Sequence, residues 1–173
     1  MSQKEIRELF TRPEAPWAVV ADETLAVDEL REELSVTRGI AWVDLDGAEM
    51  TRYESLMAAF QTKFEIPDYF GHNWPALDET LADLEWFPAE GYVAHVRNAH
   101  MVLQDHTEYG LHVFYRLMGR VSEEWSVPVE VGEYWDRGPV PFHWLLTCPK
   151  DARQGVVDLF REAEAEAPRV LDT

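Results

Sequence analysis

Three short apolar runs decide what this chain can fold into: residues 39–45 (GIAWVDL), 91–96 (GYVAHV) and 141–148 (PFHWLLTC). Each has strand length and is rich in β-branched and aromatic residues. The segments between them carry apolar residues at helical spacing. Strand-like and helix-like stretches alternate, which predicts a layered α/β or α+β domain. The 173 residues suit one domain with extensions, and 46% hydrophobic residues supply a core, excluding disorder as the main state.

The charge excludes more. Fifteen Lys and Arg stand against 33 Asp and Glu, a net charge of −18. Such a surface repels phosphate backbones, so nucleic acid is not the expected partner. It attracts a basic partner over a distance. No apolar run approaches the roughly 20 residues of a membrane helix, and MSQKEIRELF lacks the apolar core of a signal peptide. Cys148 is the only cysteine, leaving no internal disulfide or zinc site to build. A soluble, cytoplasmic protein is expected.

The first 38 residues read as an extension or small lobe. They hold a short helix at 4–10, a strand at 17–21 (WAVVA) and a helix at 27–34 capped by Thr24 or Asp28. After the strand at 39–45 and the turn dipeptide Asp46-Gly47, Thr51 with Glu54 has the spacing of a capping box. Leu56, Met57, Phe60 and Phe64 form the apolar face of that helix, which Pro67 ends. Thr107 to Trp125 reads as a long helix. Residues 126–141, with three prolines and two glycines, read as a loop or irregular hairpin. A last helix is expected from Asp151, fraying where Glu162, Glu164 and Glu166 put the wrong sign at its end.

Chemistry concentrates in residues 64–96, which hold seven acids and no Lys or Arg. The loop IPDYFGHNWP has a proline near each end. Asn73 is a good helix N-cap, and Pro75 is tolerated in the first turn. In the helix that follows, Leu77 and Leu81 centre the core face, with Glu79 and Asp83 nearly opposite. Those two carboxylates are either a solvated face or a rigid pair held out for a cationic site. The aromatic residues before them (Tyr69, Phe70, Trp74) favour the second reading, although Phe70 and Trp74 themselves read as packing.

Here the sequence resembles the barstar family, intracellular protein inhibitors of ribonucleases. The likeness is carried by FEIPDYFGHNWPALDETLADLEW, residues 64–86, and by GIAWVDLDGAEMTRYESLMAAF before it. It spans residues 39–148, leaving 1–38 as an N-terminal and 149–173 as a C-terminal helical extension. It implies a three-layer α/β fold, a small parallel sheet packed with helices. It also implies that the loop and following helix plug a ribonuclease active site. Carried over residue by residue, the partner-binding groups are Tyr69, the backbone around Asn73, and an acidic anchor at Glu79, with Asp78, Asp83, His72 and Trp86 beside them. The chain departs from the family at Pro75, where an aspartate can stand. Its anchor is Glu79 rather than Asp, and Asp78 replaces a bulky aromatic. Leu84 stands where tryptophan can occur, with Trp86 the nearby substitute.

The physics agrees with this resemblance. A ribonuclease holds an anionic scissile phosphate with Arg, Lys and protonated His, and an inserted carboxylate imitates that phosphate through charge-assisted hydrogen bonds. The expectation is a one-to-one inhibitor of a basic secreted ribonuclease or related nuclease toxin, not an enzyme, with no cofactor and no metal. No two of the six histidines have the i, i+4 spacing of a helical metal site. The alternatives are an immunity protein for another basic toxin, or a small carboxylate-dependent hydrolase.

Overall fold

A computed structural model describes residues 3–171. The three apolar runs become β2 (Ile40–Asp46), β3 (Gly91–Arg97) and β4 (Phe142–Cys148). With β1 (Ala18–Asp22) and the two-residue β5 (Arg169–Val170) they form one sheet in the order β2-β3-β4-β1-β5, every pair parallel. Parallel neighbours need long crossovers. These are α2 (Val27–Arg38), α3 (Tyr53–Lys63) with α4 (Trp74–Asp83), α5 (Glu108–Ser126) and α6 (Arg153–Glu162); α1 (Gln3–Phe10) precedes β1.

Alternation along the strands sends side chains to two apolar clusters. Phe142, Trp144 and Leu146 of β4 join Phe60, Phe64, Leu77, Leu81 and Phe114 from α3, α4, α5 and the segments flanking them. Leu145 joins Val93 and Val19, under Ile6 and Phe10 of α1 and Leu30 and Leu34 of α2. The sheet is therefore covered on both faces, which is why its strands read as near-continuous apolar runs. The buried Trp144 indole N–H is satisfied by the Met118 carbonyl at 3.0 Å and the Ser122 hydroxyl at 3.2 Å.

The segments expected as extensions are woven into this sheet. β1 lies between β4 and β5, with Val19 opposite Leu145. The chain after α6 is built into the sheet as far as Leu171. Glu164 turns the chain at φ 55°, and β5 then pairs with β1. Leu171 is buried, with its N–H on Val20 O at 2.9 Å and its carbonyl held by Arg153 at 2.8 Å.

Several caps differ from expectation. Ser55, not Glu54, accepts from the Arg52 N–H at the start of α3. Neither α2 nor α6 has a side-chain cap. Thr24 instead bonds Asp22, through both its backbone N–H and its hydroxyl. Residues 126–141 make an irregular hairpin with one bridge, Val129 to Arg137.

Candidate functional site

The loop between α3 and α4 is anchored from below. Ile66 and Phe70 are buried, and the Phe70 N–H bonds the Pro67 carbonyl at 3.0 Å. Tyr69 between them is 70% exposed. Its ring meets the edge of Trp86 at 6.3 Å, and the Trp86 indole N–H donates to Phe64 O at 3.0 Å. Trp86, expected to face a partner, is thus half-buried and serves as the wall against which Tyr69 stands.

His72 has φ 50°, a left-handed conformation unusual for a residue with a side chain. Several contacts hold it there. The Tyr53 hydroxyl donates to its carbonyl at 3.0 Å, its Nε2 meets Gln61 Oε1 at 2.7 Å, and its ring lies 4.7 Å from that of Phe70. Asn73 then caps α4. Its Oδ1 accepts from Ala76 N–H at 2.9 Å, and its Nδ2 donates to Gly71 O at 3.2 Å. The Asn73 side chain is therefore committed to the turn, and its carbonyl opens the helix by accepting from the Leu77 N–H at 2.9 Å.

Helix α4 buries Leu77 and Leu81 completely and exposes Glu79 and Asp83, one turn apart. Its far end is fixed where the Trp125 indole N–H donates to Leu81 O at 2.8 Å, and Leu84 at φ 46° closes the helix. Asp78 differs from its neighbours. At 100° per residue it falls between core and solvent faces. Its side chain is 16% exposed and paired with Arg120 of α5, and its second oxygen is buried without a hydrogen bond. Asp78 therefore does not join Glu79 and Asp83 as a free carboxylate. Arg116 and Arg120 line one groove with Glu79 and Asp83. Their i, i+4 spacing on α5 was visible in the sequence, but nothing there joined them to α4.

A second polar group lies across the sheet, at the carboxyl ends of the strands. Asp44 Oδ1 meets His95 Nδ1 at 2.8 Å, and His95 Nε2 meets the Thr147 hydroxyl at 3.0 Å. The His95 hydrogen bond holds the Asp44 carboxyl well below the usual carboxylate range, aided by Trp42 and Arg31 and opposed by partial burial. In a neutral ring with Nδ1–H toward Asp44, Nε2 accepts from Thr147. This is the order of hydroxyl, imidazole and carboxylate used for nucleophile activation, but His95 and Thr147 are buried and satisfied by one another. Cys148, next in sequence but turned to the opposite face of the sheet, is buried in the core, which pushes its thiol up to about 11 and removes it as a nucleophile.

Glu108, His112 and Glu162, a group of metal-ligating type built on one histidine, offer ligand atoms within 4.8 Å of one another. Glu108 and His112 are themselves spaced i, i+4. No helix among the described residues is long and apolar enough to cross a membrane.

The family model described as Barstar (barnase inhibitor) matches residues 40–147, well over half of the chain. The chain belongs to the barstar family. The matched region takes in the Tyr69 loop and all of α4. No curated protein matches the chain. Among solved structures, the Aeropyrum pernix ORC2 protein in ADPNP-ADP complexes is similar at 11% identity and TM-score 0.54, over 89% of this chain and 41% of that one. Cdc6p from Pyrobaculum aerophilum is similar at 12% identity and TM-score 0.59, over 97% of this chain and 43% of that one. This barstar-family chain spans less than half of either, and the likeness is one of fold. The connection after β1 here is Glu23-Thr24-Leu25-Ala26, without the glycines of a phosphate-binding loop.

Proposed function

We propose that this barstar-family protein is a one-to-one inhibitor of a basic secreted ribonuclease, acting inside the producing cell. In this reading the fold is a barstar-type three-layer core with β1 and β5 added to its sheet. The loop and α4 enter the enzyme's active site. Glu79 takes the place of the scissile phosphate among the enzyme's cations, Asp83 supports it, and Tyr69 and the backbone at His72–Asn73 cover the rim. The observation that carries the reading is the rigid display of this surface. Tyr69, Glu79 and Asp83 are exposed, while every residue that holds them in place is buried or hydrogen-bonded. Preorganisation of this kind lowers the ordering cost of binding. The net charge of −18 favours encounter with a basic enzyme.

An inhibitor needs no turnover of its own, and we infer none. The test is RNA cleavage by basic extracellular ribonucleases, barnase included, with and without excess protein. Inhibition of at least one, with no hydrolysis by the protein alone, supports the reading. Hydrolysis by the purified chain that is lost on Thr147→Val would favour an enzyme. Inhibition of a basic toxin that is not a nuclease would favour an immunity protein.

A further inference from the structure

The hairpin at 126–141 exposes large apolar groups without burying them against its own domain. Tyr134 is 88% exposed, Trp135 54%, Val131 65% and Val127 56%. Tyr134 and Trp135 stand edge to face, with ring centroids 4.8 Å apart. The loop that carries them is built to be rigid. Arg137 lies 4.3 Å over the Trp125 ring and donates to the carbonyls of Trp125 and Val127. Asp136 accepts from the N–H groups of Val131 and Gly132 at 3.0 and 2.8 Å, which holds its carboxyl below the usual range. Trp125 in turn pins the end of α4 through Leu81. The aromatic pair and α4 are thus parts of one braced unit.

Between them is a groove lined by Asp83, Glu85, Glu123 and Glu124 together with Tyr134 and Trp135. No described residue forms an ion pair with any of these four carboxylates. The two arginines that also line it are engaged: Arg120 pairs with Asp78, while Arg137 stacks on Trp125, donates to the loop carbonyls and interacts with the charge of Glu124. Four carboxylates and two exposed aromatic rings lining one groove, whose own two arginines are engaged, suit a guanidinium or ammonium group that is both ion-paired and stacked.

We propose that this groove is a second recognition site, which takes an arginine or lysine side chain of the basic partner beside the Glu79 anchor. The identity of that partner rests on the inhibitor reading above. The groove's chemistry does not, so the two can fail separately.

The test is a titration of the full-length protein, at low salt, with arginine amide and with citrulline amide, its uncharged counterpart. The readout is the Trp135 indole N–H resonance, assigned by its loss in Trp135→Phe. Arginine amide should shift it saturably and citrulline amide should not. Tyr134→Ala and Asp83→Asn should each weaken binding about two- to fivefold, the size expected for loss of one exposed cation–π or charge contact. Tyr134→Phe should retain it, and the remaining indole resonances report that each variant is folded. The Trp42 indole, which donates to Asp44 on the other face of the sheet, is the control. The proposal is overturned if no saturable shift is seen, if citrulline amide acts equally, or if Trp42 shifts as much as Trp135. Saturable arginine binding without inhibition of any ribonuclease would retain the groove and sink the inhibitor reading.

Discussion

Replacing Asn73 with alanine removes two hydrogen bonds that define the start of α4: the 2.9 Å cap on Ala76 N–H and the 3.2 Å bond to Gly71 O. Loss of an N-cap side chain ordinarily costs about 0.5–2 kcal/mol. The second bond is solvent-exposed and adds little. Asn73→Ala should therefore cost about 1–2 kcal/mol. For a chain of this length that is a fall of about 2–8 °C in melting temperature. Asn73→Asp keeps the acceptor, loses the donor to Gly71, and adds a negative charge at a helix N-terminus, which is favourable by about 0.3–1 kcal/mol. It should melt within about 2 °C of the wild type. Thermal melts by circular dichroism, with urea unfolding to give free energies, decide the matter. If Asn73→Asp falls as far as Asn73→Ala, the cap is not what holds the loop to α4. If neither variant loses stability, the loop is held by Tyr53, Gln61 and Phe70 alone.

Two further predictions concern the sheet's carboxyl ends. Asp44→Asn should destabilise the protein at pH 7. Because the folded carboxyl titrates below its unfolded value, this contribution is complete above the unfolded carboxylate pKa near 4 and is lost as pH falls below it. Urea unfolding at pH 7 and pH 3 should show the two proteins converging in acid, and a constant difference would refute the assignment. Gly47→Ala should be destabilising by more than about 1 kcal/mol, since a Cβ at Gly47 would strike the Asn98 carbonyl where the turn after β2 meets the end of β3. An unchanged melting temperature would show that the two segments separate freely.

Much of this fold was legible in the sequence, for local reasons. β3 and β4 are buried on both faces, and β2 buries Val43 and Leu45 on one face with Ile40 on the other, so all three are written as apolar runs. Asn73, Pro75 and the Leu77–Leu81 face mark α4 within ten residues. The parts that were not legible depend on partners far along the chain. WAVVA reads as a strand, but only the pairing of Val19 with Leu145 places it inside the sheet, and two residues of β5 carry no pattern of their own. Arg120 lies 42 positions from Asp78, and Asp44, His95 and Thr147 meet only because their strands are neighbours. Glu54 lost the capping role to Ser55 because two residues offered similar spacing and only local backbone geometry chose between them.

The most direct test of the account is the inhibition constant against whichever basic extracellular ribonuclease the protein blocks, measured for wild type, Glu79→Ala and Glu162→Ala. The two variants make the same charge change, one on α4 and one on the exposed end of α6. An unpaired buried cation left in the enzyme costs about 2–5 kcal/mol, a range drawn from charged-pair truncations that include the barnase–barstar complex itself. Glu79→Ala should therefore weaken inhibition by about 30-fold to several thousand-fold, with an unchanged melting temperature because its side chain is solvated in the free protein. Glu162→Ala should stay within about threefold of wild type, as expected of an exposed charge outside the contact. Equal weakening by both would mean that the protein acts as a diffuse acidic surface, and would contradict an active-site plug built on α4.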